Sequence, residues 1–167
     1  MAAPKDRAAI DMLCLRPGYN QRRFVDQIEV TQADGIPGER WSTAPWLRLE
    51  NGDPHPGIQV SILQARVLDL IWRERDTVTY PGDTFVVDMD LSLDNLPTGQ
   101  LLRVGGALLR VSDVFNTACV KWKARYGSAA KDWITAPGHP ELRLRGILCS
   151  VEQDGQITNG DLLTKIG

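Results

Sequence analysis

The sequence predicts a mainly β fold with few helices, a β-rich barrel. Three observations point there. Glycine (15) and proline (10) recur as turn punctuation about every ten residues without forming a linker. Two-residue turn signals at Gly105-Gly106 and Asn159-Gly160 separate apolar runs short enough to be strands. Only two stretches carry the i, i+3, i+4 apolar spacing of a helix with a capping residue in front.

Taken in order, Ala8–Arg16 and Phe24–Thr31 read as strands, the second with Val25, Ile28 and Val30 among Asp26, Gln27 and Glu29. Between Ile36 and Gly57, Pro37, Pro45, Pro54 and Pro56 beside Gly38, Gly52 and Gly57 make a long irregular loop. Loops of this length inside a compact domain are more often functional than incidental. A helix is expected from Ser61. Its hydroxyl can accept from the Gln64 N–H while the Gln64 side chain reaches back, and Leu63, Val67, Leu70 and Ile71 supply a buried face. Gln100–Val104 and Ala107–Phe115 form a hairpin about Gly105-Gly106, because glycine tolerates the positive φ that such turns need. A second helix opens at Asn116 or Thr117 and runs through Cys119, Trp122 and Tyr126 to Gly127, with a short continuation from Ser128 to Trp133. Leu144–Gln153, Gln156–Thr158 and Asp161–Ile166 complete a C-terminal meander.

A length of 167 residues, 43% of them apolar, is enough for one domain over residues 1–167 with its own core. Nineteen Lys and Arg against 21 Asp and Glu leave a formal charge of -2, without the basic excess of a general nucleic-acid binder. No apolar run approaches the ~20 residues of a membrane span, and Met1–Asp11 alternates charge with alanine, so a soluble cytoplasmic protein is expected. Cys14, Cys119 and Cys149 lie far apart, which gives no C-x-x-C metal pair, no four-thiolate cluster and an odd thiol in any disulfide scheme. Reduced thiols follow.

Cys119 carries the chemistry. A thiol in the first turn of a helix faces unsatisfied N–H groups and the positive dipole end, both of which favour thiolate. Around it Lys121, Lys123, Arg125, Lys131, Arg143 and Arg145 outnumber Asp132 and Glu141, so anion binding is the natural use of this region. The alternative is a Cys119 packed as a small hydrophobe beside a solvated basic face. Cys14 and Cys149 sit in apolar strand patterns where inert thiols are usual. His55-Pro56 and His139-Pro140 are turn-like and have no second His at ligand spacing, which excludes a zinc site. Asp83, Asp88, Asp90 and Asp94 read as a solvated edge rather than a cation cluster. Neither a Gly-Lys-Ser/Thr phosphate cradle nor a Gly-x-Ser-x-Gly elbow occurs.

The segments Gly35-Ile36-Pro37-Gly38-Glu39-Arg40, Gln59-Val60-Ser61-Ile62-Leu63 and Pro81-Gly82-Asp83-Thr84-Phe85-Val86-Val87 follow one another in that order. Leu96-Pro97-Thr98-Gly99-Gln100-Leu101-Leu102-Arg103-Val104-Gly105, Cys119-Val120-Lys121 and Arg143-Leu144-Arg145-Gly146 continue the series, with Gly155 and Gly160-Asp161 behind. In order and spacing the chain resembles a stand-alone MOSC protein over nearly all of residues 8 to 167. The resemblance implies a MOSC-type β-barrel, related to the C-terminal domain of molybdenum-cofactor sulfurases and to the cofactor domain of amidoxime-reducing proteins. It places the family's reactive cysteine on Cys119, as ligand of the metal in molybdenum cofactor (molybdopterin) or as a sulfur carrier.

The same resemblance implies that Arg40, Asn116, Thr117, Lys121 and Arg145 contact the cofactor, the cations serving its phosphate. Its implied substrates are small molecules, N-hydroxylated ones if molybdenum is held, and a separate protein donates electrons or sulfur. The chain departs from the pattern in Glu39 and Trp41 around Arg40, in Asp83-Thr84-Phe85 where Glu-Asn-Leu is frequent, and in Ala118 where proline is common. A binding module that holds an anionic ligand or an acidic partner on the same barrel, without catalysis, is the competing expectation.

Overall fold

The computed structural model describes residues 1–167. Ten strands, β1 (Arg7–Leu15), β2 (Arg23–Val25), β3 (Gln27–Val30), β4 (Val60–Gln64), β5 (Phe85–Val87), β6 (Leu101–Val104), β7 (Ala107–Val111), β8 (Ile147–Gln153), β9 (Gly155–Thr158) and β10 (Leu162–Ile166), accompany three short helices, α1 (Ala65–Ile71), α2 (Val120–Tyr126) and α3 (Ser128–Thr135). Seven of the strands close a mixed barrel in the order β1-β5-β4-β8-β7-β6-β10, sealed by β10 pairing back onto β1. Only β4 and β5 run parallel. They are bridged by α1 and the following loop, the crossover that a parallel pair requires. Opposite β5, the edge of β1 is shared: Arg7–Ala9 pair with β10 and Leu13–Leu15 with β2.

Alternation along the strands turns Leu13, Ile62, Phe85, Leu102, Leu109 and Leu163 into the barrel, all fully buried. A second apolar cluster lies outside the wall, where α1 and Trp72 cover Cys14, Tyr80 and Val86. A third, made of Ala118, Trp122 and Ile134, holds α2 against α3. No helix is long and apolar enough to cross a membrane.

Several local expectations are corrected. The strand anticipated over residues 24–31 is two strands in different sheets, β2 on the barrel and β3 paired with β9. Ser61 starts no helix. It lies in β4, where its Oγ accepts the Thr84 N–H at 3.0 Å while Thr84 Oγ1 accepts the Ser61 N–H at 3.1 Å. Helix α1 is capped by Gln64, whose Oε1 accepts the Val67 N–H at 3.1 Å. Strand β7 stops at Val111, not Phe115, because the Ser112 hydroxyl accepts the Val114 N–H and turns the chain. Strand β8 starts at Ile147, since Arg143 (φ 51) and Gly146 (φ 93) are both left-handed. An added Cβ on Gly146 would meet the Ile62 carbonyl oxygen at 2.2 Å, so the β4 backbone demands glycine there.

The loop over residues 36–57 contains no α-helix or strand, runs into a 3-10 turn at Pro56–Ile58, and is firmly held. Buried Glu39 accepts the Arg16 backbone N–H at 2.9 Å and its guanidinium at 3.3 Å, and the Trp41 indole donates to the His55 carbonyl at 2.8 Å. His55 and His139 have local roles: His55 Nδ1 accepts the Gly57 N–H, and His139 Nδ1 bonds the Trp133 carbonyl.

Candidate functional site at Cys119

Cys119 is the exposed thiol of the chain, whereas Cys14 and Cys149 are buried. Neither Asn116 nor Thr117 caps α2. Cys119 itself holds the N-cap position in an extended conformation (φ -94, ψ 179). The lead-in is anchored by Ala118, buried against Trp122 and Ile134, and that anchor leaves the next side chain on the surface. Partial burial pushes the Cys119 thiol up, but the N–H groups of Trp122 and Lys121 and the charge of Arg145 outweigh it, and the thiol lies below its ordinary pKa. Burial dominates at the other two: it raises Cys14 against the Arg23 backbone N–H and the charges of Arg22 and Arg16, and it pushes Cys149 up to about 12 against the charge of Arg143.

Arg145 stands between the barrel and α2. Its Nη1 donates to both carboxylate oxygens of Asp83 at 2.9 Å, and its Cζ lies 4.8 Å from the Trp122 ring centroid. The Asp83 side chain has no exposed surface and that of Arg145 has 16%. The solvated edge expected of the four aspartates is therefore wrong at Asp83, which is a buried ion-pair partner. Asp88 keeps to it, its half-exposed carboxylate bonding Arg66 at 2.7 Å on the surface.

The other anticipated residues divide. Lys121 Nζ lies 3.7 Å from the centroid of the Tyr19 ring and Arg40 Cζ 5.6 Å from it, so one exposed aromatic gathers a cation from α2 and another from the long loop. Lys121, by hydrogen bond and by charge, holds the Tyr19 phenol below its ordinary pKa. The segment carrying Tyr19 is docked a second time, where Arg125 donates to Asn20 Oδ1 at 3.0 Å. Asn116 donates its amide to the Arg145 carbonyl at 3.2 Å, and Thr117 is exposed beside Cys119 in sequence. Arg143, counted in the basic cluster by sequence, turns instead to the Leu96 carbonyl. Tyr19 escaped sequence reasoning because its partners lie 21 and 102 positions away. The only signal was its place in the turn sequence Pro17-Gly18-Tyr19-Asn20.

The basic region around the thiol was expected to bind an anion. Of the two main hollows of the molecule, one lies under Phe115 and Arg143 and the other beside Phe24 and Trp72, and neither includes Cys119. The arrangement at Cys119 is an accessible thiol beside the charge of Arg145, which is itself held in a buried ion pair, with the Tyr19 cluster joined to the same helix through Lys121. It can present a nucleophilic sulfur or soft metal ligand next to positive charge.

Fold and site together define a closed β-barrel protein with one surface thiol beside cations. No family model and no curated protein matches the sequence. Solved structures do. The chain is similar to the YuaD protein of Bacillus subtilis, at 18% identity and TM-score 0.63 over 94% of each chain. It is also similar to YiiM of Escherichia coli, at 18% identity and TM-score 0.62 over 96% of this chain and 70% of that one. YiiM of Geobacillus stearothermophilus matches at 15% identity and TM-score 0.59 over 99% and 75%. At these identities the likeness is one of fold, and it agrees with the barrel expected from sequence.

Proposed function

We propose that the chain is a stand-alone MOSC-domain protein in which Cys119 either ligates the metal of molybdenum cofactor or carries sulfur. The observation that carries this reading is the accessible Cys119 thiol held below its ordinary pKa, beside Arg145 and near Lys121 in α2. Support for the family comes from the barrel shared with YuaD and YiiM, which are MOSC-domain proteins.

The residues present fit the two ends of such a cofactor. A thiolate suits molybdenum as a soft ligand, and the paired cations on Tyr19 suit a phosphate. Cys119 Sγ would hold the metal, and Lys121 with Arg40 would hold the phosphate. Thr117, with its exposed hydroxyl, and Asn116, with one amide hydrogen still free, would add polar contacts. With the Trp122 and Lys121 N–H groups, Arg145 lowers the thiol pKa, while its own position is set by Asp83 and Trp122. When bound, the group supplies two-electron chemistry with oxygen exchange, and the substrates are small N-hydroxylated molecules. The electrons come from a separate donor protein. In sulfur carriage, the Cys119 thiolate takes the terminal sulfur of a donor protein's persulfide and the donor leaves as its thiolate.

Production in a cofactor-competent host decides. Near-stoichiometric molybdenum and pterin, lost in Cys119→Ala, support metal binding, and a persulfide on Cys119 in the intact mass supports sulfur carriage. If neither is found on a folded chain, the reading fails and the surface is a non-catalytic anion or partner site.

A further inference from the structure

A hollow of about 250 Å³ lies between three segments: the turn after β7, the loop around Leu93 and the 3-10 turn Pro140–Leu142. Its walls are pinned by backbone bonds. The Ser112 N–H donates to the Leu148 carbonyl at 2.8 Å and the Leu93 N–H to the Glu141 carbonyl at 2.8 Å. Pre-formed concavity of this kind is what small-molecule sites share, and the volume is below the roughly 300–1,000 Å³ of drug-sized pockets.

Two features of its lining stand out. Leu93 and Phe115 keep 44% and 47% of their surface exposed, although both are large and apolar and border the same hollow. Three charged side chains, Asp113, Glu141 and Arg143, also line it, and none of them belongs to any of the five ion pairs of the chain. Arg143 is half-buried in a left-handed conformation (φ 51) that only glycine and a few polar residues take easily. Its guanidinium bonds one carbonyl, that of Leu96, leaving further donors free.

A plain anion would meet two carboxylates here, and a plain cation would meet the guanidinium. A ligand with both charges and an apolar body satisfies the whole lining. We propose that this hollow is a binding site for a small apolar zwitterion, a free α-amino acid with a branched or aromatic side chain. Arg143 receives the carboxylate, Asp113 and Glu141 receive the ammonium, and Leu93 and Phe115 cover the side chain. The hollow borders the Cys119 surface at Asn116, but none of the five residues that receive the ligand belongs to that surface, so the proposal stands or falls without the Cys119 chemistry.

The test is a titration of the full-length protein with L-leucine, followed by amide NMR shifts, beside isoamylamine and 4-methylvalerate, which each lack one charge. The expected result is saturable shifts at residues 113–116, 141–143 and Leu93, with each analogue and each of Asp113→Asn, Glu141→Gln and Arg143→Gly weaker by about tenfold. Glycine accepts the left-handed backbone at position 143, and the two carboxylate variants are exposed, so loss of binding is separable from loss of fold. Absence of saturable shifts, equal binding of either analogue, or shifts confined to the Cys119 region would overturn the proposal.

Discussion

Arg145 Nη1 lies 2.9 Å from both carboxylate oxygens of Asp83, and this contact fastens the segment before β8 to the segment before β5 directly beneath α2. Both partners are nearly withdrawn from water, so each depends on the other for its solvation. Removing one leaves an uncompensated buried charge, which costs about 3–5 kcal/mol. Asp83→Ala and Arg145→Met are each expected to lose that much stability in urea unfolding. The double variant should lose less than the two single losses added together, since it strands no charge. Additive losses would show that the two side chains act separately.

The thiols should separate cleanly by reactivity. In the folded protein a single cysteine, Cys119, reacts with iodoacetamide, and its rate rises with a midpoint below the ~8.5 of a free thiol. Cys14 and Cys149 react only after denaturation, because both are buried and neutral. Mass mapping of the alkylated peptides against pH checks both statements. A Cys119 midpoint at or above the free value would refute the electrostatic account of the site.

Cys149 also gives stability a pH dependence. Its folded pKa of about 12 lies above the unfolded value near 8.5, so the folded state binds the proton more tightly. The contribution is complete below about pH 8.5 and is lost as pH rises toward 12. Cys149→Ala is expected to be less stable than the parent at neutral pH and to lose less further stability across that alkaline window. Urea midpoints at several pH values measure the difference.

Of the three tyrosines, Tyr19 should ionise first. Lys121 holds its phenol below the ordinary value, whereas burial pushes those of Tyr80 and Tyr126 up. Ultraviolet titration should show one tyrosinate forming below about pH 10 and the other two only as the barrel unfolds. Lys121→Met moves the first step upward without touching the others. An unmoved first step would mean that Lys121 does not act on this ring.

Gly146→Ala should destabilise by about 3 kcal/mol or more, because the new methyl must displace the Ile62 carbonyl in a left-handed backbone. Thermal unfolding reads this directly, and an unchanged midpoint would mean that β4 and β8 can separate at no cost.

How much of this was legible in advance follows from the range of each interaction. The Gly105-Gly106 hairpin is a two-residue signal, and β6 pairs with β7 as expected. Asn159-Gly160 does turn the chain, but the meander expected there does not form, because β9 pairs with β3 and β10 with β6 and β1. The helix start was misplaced because Ser61 and Gln64 are both plausible caps locally. Only the Thr84 partner, 23 positions away, draws Ser61 into the sheet. Asp83 read as a surface residue for the same reason, since its cation lies 62 positions along the chain. Cys119 was picked by its place in the first turn of a helix; the structure moves it one step back to the N-cap, where it is exposed as that argument needs. Tyr19, which joins Arg40 to Lys121, had only its place in the Pro17–Asn20 turn as a local signature.

The seam between Arg7–Ala9 and Leu162–Thr164 has a consequence during synthesis. While β10 is still inside the ribosome, β1 carries an open hydrogen-bonding edge over that stretch, with β6 unpaired on the far side as well. Nascent chains must hold these two rims apart from one another's copies until the final zipper forms. Slow translation of the last segment should therefore favour misassembly between neighbouring polysomal chains, and trigger-type holding factors should relieve it.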